Sequence, residues 1–144
     1  MTALFEHSPW VEARADARPS SGDRHADLMA VVRDATPDEQ LALIRAHPEL
    51  AGKAAVALTE ASAAEQASAG LDRLTQAEFD RFHALNAAYR EKFGFPFIIC
   101  VRLTDKAGIL AAMEQRLMND RDAEIATALD EIGKIVRLRL EETA

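Results

Sequence analysis

Helix-start motifs constrain the fold of this sequence more than any other feature. In a capping box, a Ser or Thr side chain accepts a bond from an amide of the first helical turn, and a Glu three residues later bonds back. Three segments fit the full box: Thr36-Pro37-Asp38-Glu39, Ser62-Ala63-Ala64-Glu65 and Thr75-Gln76-Ala77-Glu78. Asp23 and Asp120 offer looser caps. Since the 144 residues include only six glycines and five prolines, the sequence predicts an all-α fold.

The spacing of apolar residues places the helices that follow these caps. Leu, Ile, Phe and Met recur every three or four residues, which puts them on one face of a helix. The predicted helices span residues 37–46, 76–92, 106–118 and 122–142, with another through 28–32 and a short turn at 8–10. The second of these carries a stripe that we interpret as core packing, made of Phe79, Phe82, Asn86, Tyr89 and Phe93.

Residues 94–101 break the helical pattern. The run Gly94-Phe95-Pro96-Phe97-Ile98-Ile99-Cys100-Val101 is rich in β-branched and aromatic residues, which is typical of a strand. The sequence offers no partner strand, so we expect an extended, buried segment inside a single-domain helical bundle that spans residues 1–144. Buried irregular backbone has amides and carbonyls that need partners, and a ligand is one candidate.

Charge and cysteine content exclude several classes of partner. The 17 Lys and Arg against 24 Asp and Glu give a net charge of -7, and the basic residues are scattered. Nucleic acids and anionic membranes recruit proteins through concentrated positive charge, so neither is expected here. No apolar run has the length of a membrane span, and no secretory signal is visible. The single Cys100 is typical of a reducing compartment, so we expect a cytoplasmic protein.

The sequence gives little support to metal or thiol chemistry. The four histidines, His7, His25, His47 and His83, show no metal-binding spacing with one another or with the cysteine. Cys100 lies in an apolar run where a thiol keeps its proton, which argues against a nucleophile. We therefore expect no metal and no cofactor.

His47 is the strongest candidate for proton transfer. It follows Leu43 and Ile44 on the inward face, where the predicted helix ends before Pro48. The helix dipole at this end favours an imidazolium, and a partly buried histidine that titrates near neutrality exchanges protons readily. The alternative is a structural histidine that only packs on an apolar face.

Two further features have both a structural and a functional interpretation. The box at Ser62 and Glu65 starts a helix, and the amides of a helix start also form an anion site. In the last predicted helix, Arg139 continues the apolar stripe after Val136, whereas Arg137 points roughly 100 degrees away. An inward arginine needs an anion, which is either an acidic side chain or a substrate carboxylate.

Taken in order, several segments of the chain resemble the OHCU decarboxylases, which act on 2-oxo-4-hydroxy-4-carboxy-5-ureidoimidazoline in uric acid breakdown. The segments with the most specific likeness are His47-Pro48-Glu49-Leu50-Ala51-Gly52-Lys53, Ser62-Ala63-Ala64-Glu65-Gln66-Ala67-Ser68-Ala69-Gly70-Leu71, Leu85-Asn86-Ala87-Ala88-Tyr89 and Lys92-Phe93-Gly94-Phe95-Pro96-Phe97-Ile98-Ile99. Phe5-Glu6-His7-Ser8-Pro9-Trp10 and Glu131-Ile132-Gly133-Lys134-Ile135 are also similar to the family, so the likeness covers nearly the whole chain.

The resemblance implies a helical, cofactor-free decarboxylase that converts OHCU into (S)-allantoin and carbon dioxide and works as a homodimer. The substrate has an imine bond next to its carboxylated carbon, so it supplies its own sink for the electron pair. The protein then orients the carboxylate, stabilises the enol-like charge and delivers a proton to one face.

The resemblance also implies roles for individual residues. His47 and Glu65 are the implied catalytic residues, with His47 as the proton donor and Pro48 fixing it beside the ligand. Glu65 and Gln66 hydrogen-bond the hydroxyl and ureido groups, and Arg139 is the candidate for the carboxylate. The implied substrate-binding residues are Pro48, Ser62, Ala63, Ala64, Glu65, Gln66 and Arg139, together with Phe97, Ile98, Ile99, Cys100 and Val101, whose main-chain groups contact the ring.

Two alternatives stand beside the decarboxylase. One is another ureide-processing enzyme on the same scaffold, which would turn over a different intermediate of purine ring opening. The other is a helical adaptor that has lost the chemistry. The presence of His47, Glu65 and Arg139 argues against the adaptor.

Overall fold

The computed structural model describes residues 4–5, 7–47, 50, 60–71 and 73–143. The helices in these ranges are α1 (Trp10–Asp16), α2 (Arg24–Asp34), α3 (Pro37–Arg45), α4 (Glu60–Ser68), α5 (Gln76–Phe93), α6 (Lys106–Arg116) and α7 (Arg121–Thr143). A 3-10 turn spans Val101–Leu103 between α5 and α6. The described ranges contain no strand, which confirms the all-α prediction.

Most of the predicted helix caps are formed. Thr36 accepts the amide of Glu39 at 3.1 Å, and Glu39 accepts the amide of Thr36 at 3.0 Å. The box at the start of α5 makes the same pair of bonds. Asp23 and Asp120 also accept amides of the first turns of α2 and α7. These bonds satisfy amides that a helix start leaves unpaired, so local sequence determines where these helices begin.

Two helix starts differ from the prediction. α4 begins at Glu60, so Ser62 lies inside its first turn and the prediction that Ser62 caps the helix is wrong. At the beginning of the chain the sequence predicts only a turn, whereas the structure continues into α1. The reason is tertiary packing, because Val11 and Ala15 bury one face of this short helix and α1 packs against α2.

Packing follows the predicted apolar faces. α2 and α3 pack against α7, and α5 packs against α6. Ile132 and Val136 of α7 are fully buried. On α5, Tyr89 is also fully buried, and its ring centroid lies 5.3 Å from that of Phe97. None of the described helices combines the length and the apolar character that crossing a membrane needs.

The break after α5 positions the candidate site. Gly94 ends the helix with φ of 81°, a left-handed conformation that glycine adopts without strain. Residues 95–100 then have no regular secondary structure, and most of them are buried. The predicted extended segment is therefore confirmed as far as Cys100, while Val101 already belongs to the 3-10 turn.

Candidate active site

One pocket receives side chains from four distant parts of the chain. Its empty volume is about 430 Å³, counting the part that is open to solvent. The described lining consists of His47, Leu50, Glu65, Gln66, Phe97, Ile98, Ile99, Cys100, Val101, Arg102, Ile135 and Arg139. The fold thus brings together the end of α3, the helix α4, the pocket segment (residues 97–101) and the last part of α7.

The pocket lining includes some of the predicted binding residues and not others. All five members of the pocket segment line it, and so do Glu65 and Gln66. Ala63 and Ala64 are exposed on α4 and are absent from the described lining. Pro48 and the side chain of Ser62 lie outside the described residues.

His47 is held by the end of α3. Its Nδ1 lies 3.0 Å from the carbonyl oxygen of Leu43, and its main-chain amide donates to Ile44 at 3.1 Å. A carbonyl oxygen only accepts, so Nδ1 carries a proton and Nε2 is the nitrogen whose protonation can change. Since the residue is only 5% exposed, the helix end fixes both the ring and its tautomer inside the protein.

Glu65 and Arg139 form a buried, bidentate ion pair. Nε and Nη2 of Arg139 donate to the two carboxylate oxygens at 2.9 and 2.8 Å. Nη1 also donates to the carbonyl oxygen of Leu4 at 3.2 Å. The two charged side chains are 1% and 11% exposed. Removing one partner of such a pair costs about 3–5 kcal/mol, so Glu65 and Arg139 form one rigid unit in the pocket wall.

Helical phase separates the two arginines of α7 as predicted. Arg139 lines the pocket, whereas Arg137 is exposed. Nη2 of Arg137 lies 3.2 Å from Nδ1 of His25, and Nε2 of His25 bonds to the carbonyl oxygen of Gly133 at 2.8 Å. These contacts join α2 to α7 outside the described lining of the pocket.

Side chains satisfy part of the backbone of the pocket segment. Nη1 of Arg116 donates to the carbonyl oxygen of Ile98 at 2.7 Å, and the amide of Cys100 donates to Glu131 at 3.0 Å. These two backbone groups, for which the sequence offers a ligand as one candidate partner, already have partners in the protein. By contrast, no described residue bonds to the amide or carbonyl of Ile99, which is half-buried in the lining.

A buried polar cluster backs the pocket segment. Nε of Arg116 and the hydroxyl of Tyr89 both donate to Oε1 of Glu124, at 2.8 and 2.5 Å. Asn119 donates to the other carboxylate oxygen at 2.9 Å. Burial raises the pKa of the Tyr89 hydroxyl, and its bond to Glu124 adds to this effect, so the hydroxyl keeps its proton. Arg116 also lies 4.3 Å from the ring centroid of Phe97.

Asn86 connects α5 to the chain beyond His47. It is 4% exposed, and its Nδ2 donates to the carbonyl oxygen of Leu50 at 2.8 Å. Leu50 lines the pocket three residues after His47. Sequence reasoning placed Asn86 in the core stripe and missed this contact, because nothing local indicates which backbone group a buried amide will bind.

Sequence reasoning also missed the buried acids of α7. Glu124 and Glu131 are 0% and 8% exposed, and both support the pocket segment. A signal was available, since Glu124, Glu131 and Arg139 follow one another at intervals of seven and eight residues. This spacing places all three on one helix face, together with the apolar stripe.

The cysteine of the pocket segment is unsuited to nucleophilic chemistry. Cys100 is 2% exposed. Burial raises the pKa of its thiol, and the neighbouring Glu131 carboxylate raises this pKa further. Within the part of the chain that the structure describes, no three His, Cys, Asp or Glu side chains gather as metal ligands would.

Arg102 is the second arginine of the described lining. Its Nη1 lies 2.6 Å from Oε1 of Glu142, and the two side chains are 29% and 52% exposed. An ion pair this exposed contributes about 0–1 kcal/mol, far less than the buried pair of Glu65 and Arg139. Arg102 therefore changes partners at low cost. The sequence-based binding segment ended at Val101 and did not include it.

The fold and the pocket define a small all-α protein that places an imidazole and a carboxylate–guanidinium pair in the lining of one pocket, as an enzyme for a small polar substrate does. The sequence model of the family described as OHCU decarboxylase matches residues 1–141. The chain belongs to this family, which confirms the resemblance seen in the sequence.

Individual relatives agree with this membership. The 2-oxo-4-hydroxy-4-carboxy-5-ureidoimidazoline decarboxylase of Haloferax volcanii is 44% identical over 142 residues, which cover 96% of this chain and 83% of that protein. A crystal structure of (S)-allantoin synthase matches with a TM-score of 0.71 and 32% identity. The match covers 97% of this chain but only 46% of the synthase chain.

A second solved structure shares the fold over nearly its full length. It is a crystal structure of OHCU decarboxylase in the presence of (S)-allantoin, with a TM-score of 0.73 and 22% identity. The match covers 95% of this chain and 92% of the other. At this identity the likeness concerns the architecture alone.

Proposed function

We propose that this protein removes the carboxylate of OHCU as carbon dioxide and releases (S)-allantoin. The observation that carries the proposal is the convergence of His47, the Glu65–Arg139 pair and the pocket segment on one cavity. Membership of the OHCU decarboxylase family supports it. The names of the Haloferax relative and of the (S)-allantoin synthase point to the same substrate and product.

The reaction requires three contributions from the protein. When the carbon–carbon bond to the carboxylate breaks, its electron pair moves towards the neighbouring imine nitrogen, and an enol forms in the ring. A proton must then reach one face of the carbon that bears the ureido group. The protein therefore orients the substrate, stabilises the charge that develops in the ring and directs the proton.

Proton delivery is assigned to His47. The bond from Nδ1 to the carbonyl of Leu43 leaves Nε2 as the nitrogen that exchanges the proton. Because His47 is buried in the pocket wall, the proton comes from one direction and bulk water is kept away. A fixed donor on one side accounts for a single enantiomer of the product. The positioning role of Pro48 stays a prediction.

Glu65 is assigned to the hydroxyl of the substrate and Gln66 to its ureido group. A carboxylate that accepts the hydroxyl proton helps the enol become the carbonyl of allantoin, and the ring nitrogen that received the electron pair takes up a proton in turn. The sequence-based role of Arg139, capture of the substrate carboxylate, competes with its two bonds to Glu65. We therefore assign Arg139 to orienting the carboxylate of Glu65 through these two bonds.

The main-chain contacts to the ring are assigned to the pocket segment, in which Ile99 offers both of its backbone groups. Its amide and carbonyl have no partner among the described residues, whereas Ile98 and Cys100 each have one backbone group bonded to a side chain. A backbone amide can donate to the carbonyl oxygen of a cyclic urea, and a backbone carbonyl can accept from one of its N–H groups. The polar cluster behind the segment holds these groups in place.

A cytoplasmic location and a homodimer complete the proposal. The location is supported by the single cysteine, and the dimer by the family resemblance alone. The negative net charge supports a small-molecule substrate rather than a nucleic acid. Light scattering tests the dimer, for which we expect a mass twice the 15.8 kDa of the chain.

A coupled assay tests the proposed function directly. Urate oxidase and hydroxyisourate hydrolase generate OHCU in place, and circular dichroism records (S)-allantoin after the purified protein is added. We expect the protein to accelerate formation of the (S) enantiomer. Turnover of a different ureide, with no effect on OHCU, would favour the other ureide-processing enzyme, and no turnover of either would favour the adaptor.

A further inference from the structure

Arg102 lines the pocket but has no role in the function proposed above, and its charge is suited to binding the carboxylate of the substrate. We propose that Arg102 binds this carboxylate at the mouth of the pocket, in exchange for its contact with Glu142. The inference rests on the proposed function, because it assigns a binding residue for the same substrate. Binding at Arg102 gives the substrate carboxylate a cationic partner and leaves the Glu65–Arg139 ion pair intact.

Arg102 stands where the pocket meets solvent. Its side chain is 29% exposed, whereas His47 is 5% and Arg139 is 1% exposed. The 3-10 turn Val101–Leu103 carries Arg102 directly after the pocket segment, and α4 packs against this turn. Arg102 is thus an exposed member of a lining whose buried members include His47.

Among the described lining residues, the charges favour Arg102 as the group for an incoming anion. Glu65 meets Arg139 through two bonds, so these charges compensate each other within the wall. Arg102 meets Glu142 through one oxygen at 2.6 Å. A guanidinium has five N–H donors in a planar fork, which suits two oxygens of a carboxylate.

Exchange of the partner is easier at Arg102 than at Arg139. The side chain of Glu142 is 52% exposed, so water can solvate its carboxylate as soon as Arg102 releases it. Glu65 is only 11% exposed on its side chain, and its release would leave a buried charge without a partner. An entering carboxylate therefore displaces Glu142 before it displaces Glu65.

This placement orients the substrate for the reaction. With the carboxylate outward at Arg102, the ring lies inward towards His47 and Glu65. When the carbon–carbon bond breaks, its electron pair passes into the ring and neutral carbon dioxide leaves on the solvent side. The negative charge thus moves away from Arg102 during the step. Arg102 then gives the transition state no stabilisation beyond what it gives the bound substrate, so its removal raises KM without lowering kcat.

The test compares four variants. Arg102→Gln removes the charge, Arg102→Lys retains it, and Glu142→Gln removes the competing carboxylate. Arg81→Gln is the matched control, since Arg81 also forms an exposed ion pair, with Glu114, away from the described lining. Each variant is assayed with OHCU generated in place. Calorimetry then measures binding of 2-oxoimidazolidine-4-carboxylate, a cyclic urea with a carboxylate, and of (S)-allantoin, which has no carboxylate.

We expect Arg102→Gln to raise KM about tenfold or more with kcat changed less than about twofold, because one charged contact is lost from the bound substrate. The carboxylate probe should bind more weakly by a similar factor, while (S)-allantoin binds as before. Arg102→Lys should recover part of the loss, and Glu142→Gln should tighten binding of the carboxylate probe. Arg81→Gln should match the wild type.

The proposal for Arg102 is overturned if Arg102→Gln binds the carboxylate probe as tightly as the wild type does, or if it lowers kcat with KM unchanged. Failure of the proposed function has a different signature, namely wild-type protein that does not turn over OHCU. The two probes measure the carboxylate preference without turnover, so the two failures are distinguishable.

Discussion

The carboxylate of Glu65 lies against the guanidinium of Arg139, with bonds of 2.8 and 2.9 Å, in the wall of the pocket that contains His47. The two residues are 74 positions apart in the sequence. Their contact fixes the pocket face of α4 against α7. It also orients a carboxylate where the hydroxyl of the substrate is expected to bind.

Arg139→Ala is expected to lower the free energy of unfolding by about 3–5 kcal/mol, because Glu65 stays behind as a buried charge. Urea denaturation measures this loss. The control is Arg81→Ala, which breaks an ion pair whose side chains are 51% and 53% exposed. It should cost less than about 1 kcal/mol. Equal, small losses for the two variants would contradict a rigid Glu65–Arg139 unit.

Asn86→Ala is expected to lower kcat and to shift the pH profile of kcat/KM. The variant removes the donor to the Leu50 carbonyl, so the chain beyond His47 loses its anchor on α5. A loss of about 1–3 kcal/mol in stability should accompany this change. Asn119→Ala is the control, since it removes a bond to Glu124 at 2.9 Å behind the pocket segment. If both variants lose stability but neither moves the pH profile, Asn86 has no positioning role.

Cys100→Ala is expected to retain activity. The thiol is buried with a raised pKa, and the contact that the residue makes with Glu131 uses its main-chain amide, which any residue supplies. For the same reason, iodoacetamide should modify the native protein slowly at pH 8 and the urea-unfolded protein rapidly. A folded Cys100→Ala protein without activity would show that the thiol takes part in the reaction.

The ion pair between Arg14 and Glu39 predicts a pH-dependent contribution to stability. The bond from Arg14, together with the amide of Thr36, lowers the pKa of Glu39 from its ordinary 4.5 to about 2. A carboxyl whose pKa is lowered on folding stabilises the protein above its unfolded pKa, and this contribution is lost as the pH falls towards the folded pKa. Glu39→Gln should therefore lower Tm at pH 7. The difference from the wild type should shrink between pH 4.5 and 2, and a constant difference would contradict the shift.

Local chemistry made much of the fold predictable. The caps at Thr36, Thr75, Asp23 and Asp120 use side chains within three residues of the amides they bind, so the sequence itself contains both partners. Gly94 likewise ends α5 because the left-handed conformation suits glycine. The box at Ser62 shows the limit of this reasoning. A matching pattern does not prevent a helix from starting two residues earlier.

Long-range pairing could not be predicted in the same way. Helical phase indicates that Arg139 faces inward, but it does not choose its partner among 24 acids. Likewise, the pattern of the pocket segment predicts backbone groups that need partners without pointing to Arg116 or Glu131. Such choices depend on how the helices pack in three dimensions, and the structure supplies that information.

The most direct test of the account is the rate and enantiomeric purity of (S)-allantoin formed by His47→Asn, measured by circular dichroism beside the wild type. Asparagine retains polarity near the end of α3 but cannot carry the proton. We predict that the rate of (S)-allantoin formation above the uncatalysed rate falls at least about 100-fold. The variant should still unfold cooperatively on heating, as a folded protein does. A folded His47→Asn protein that forms (S)-allantoin at the rate and purity of the wild type would contradict the account.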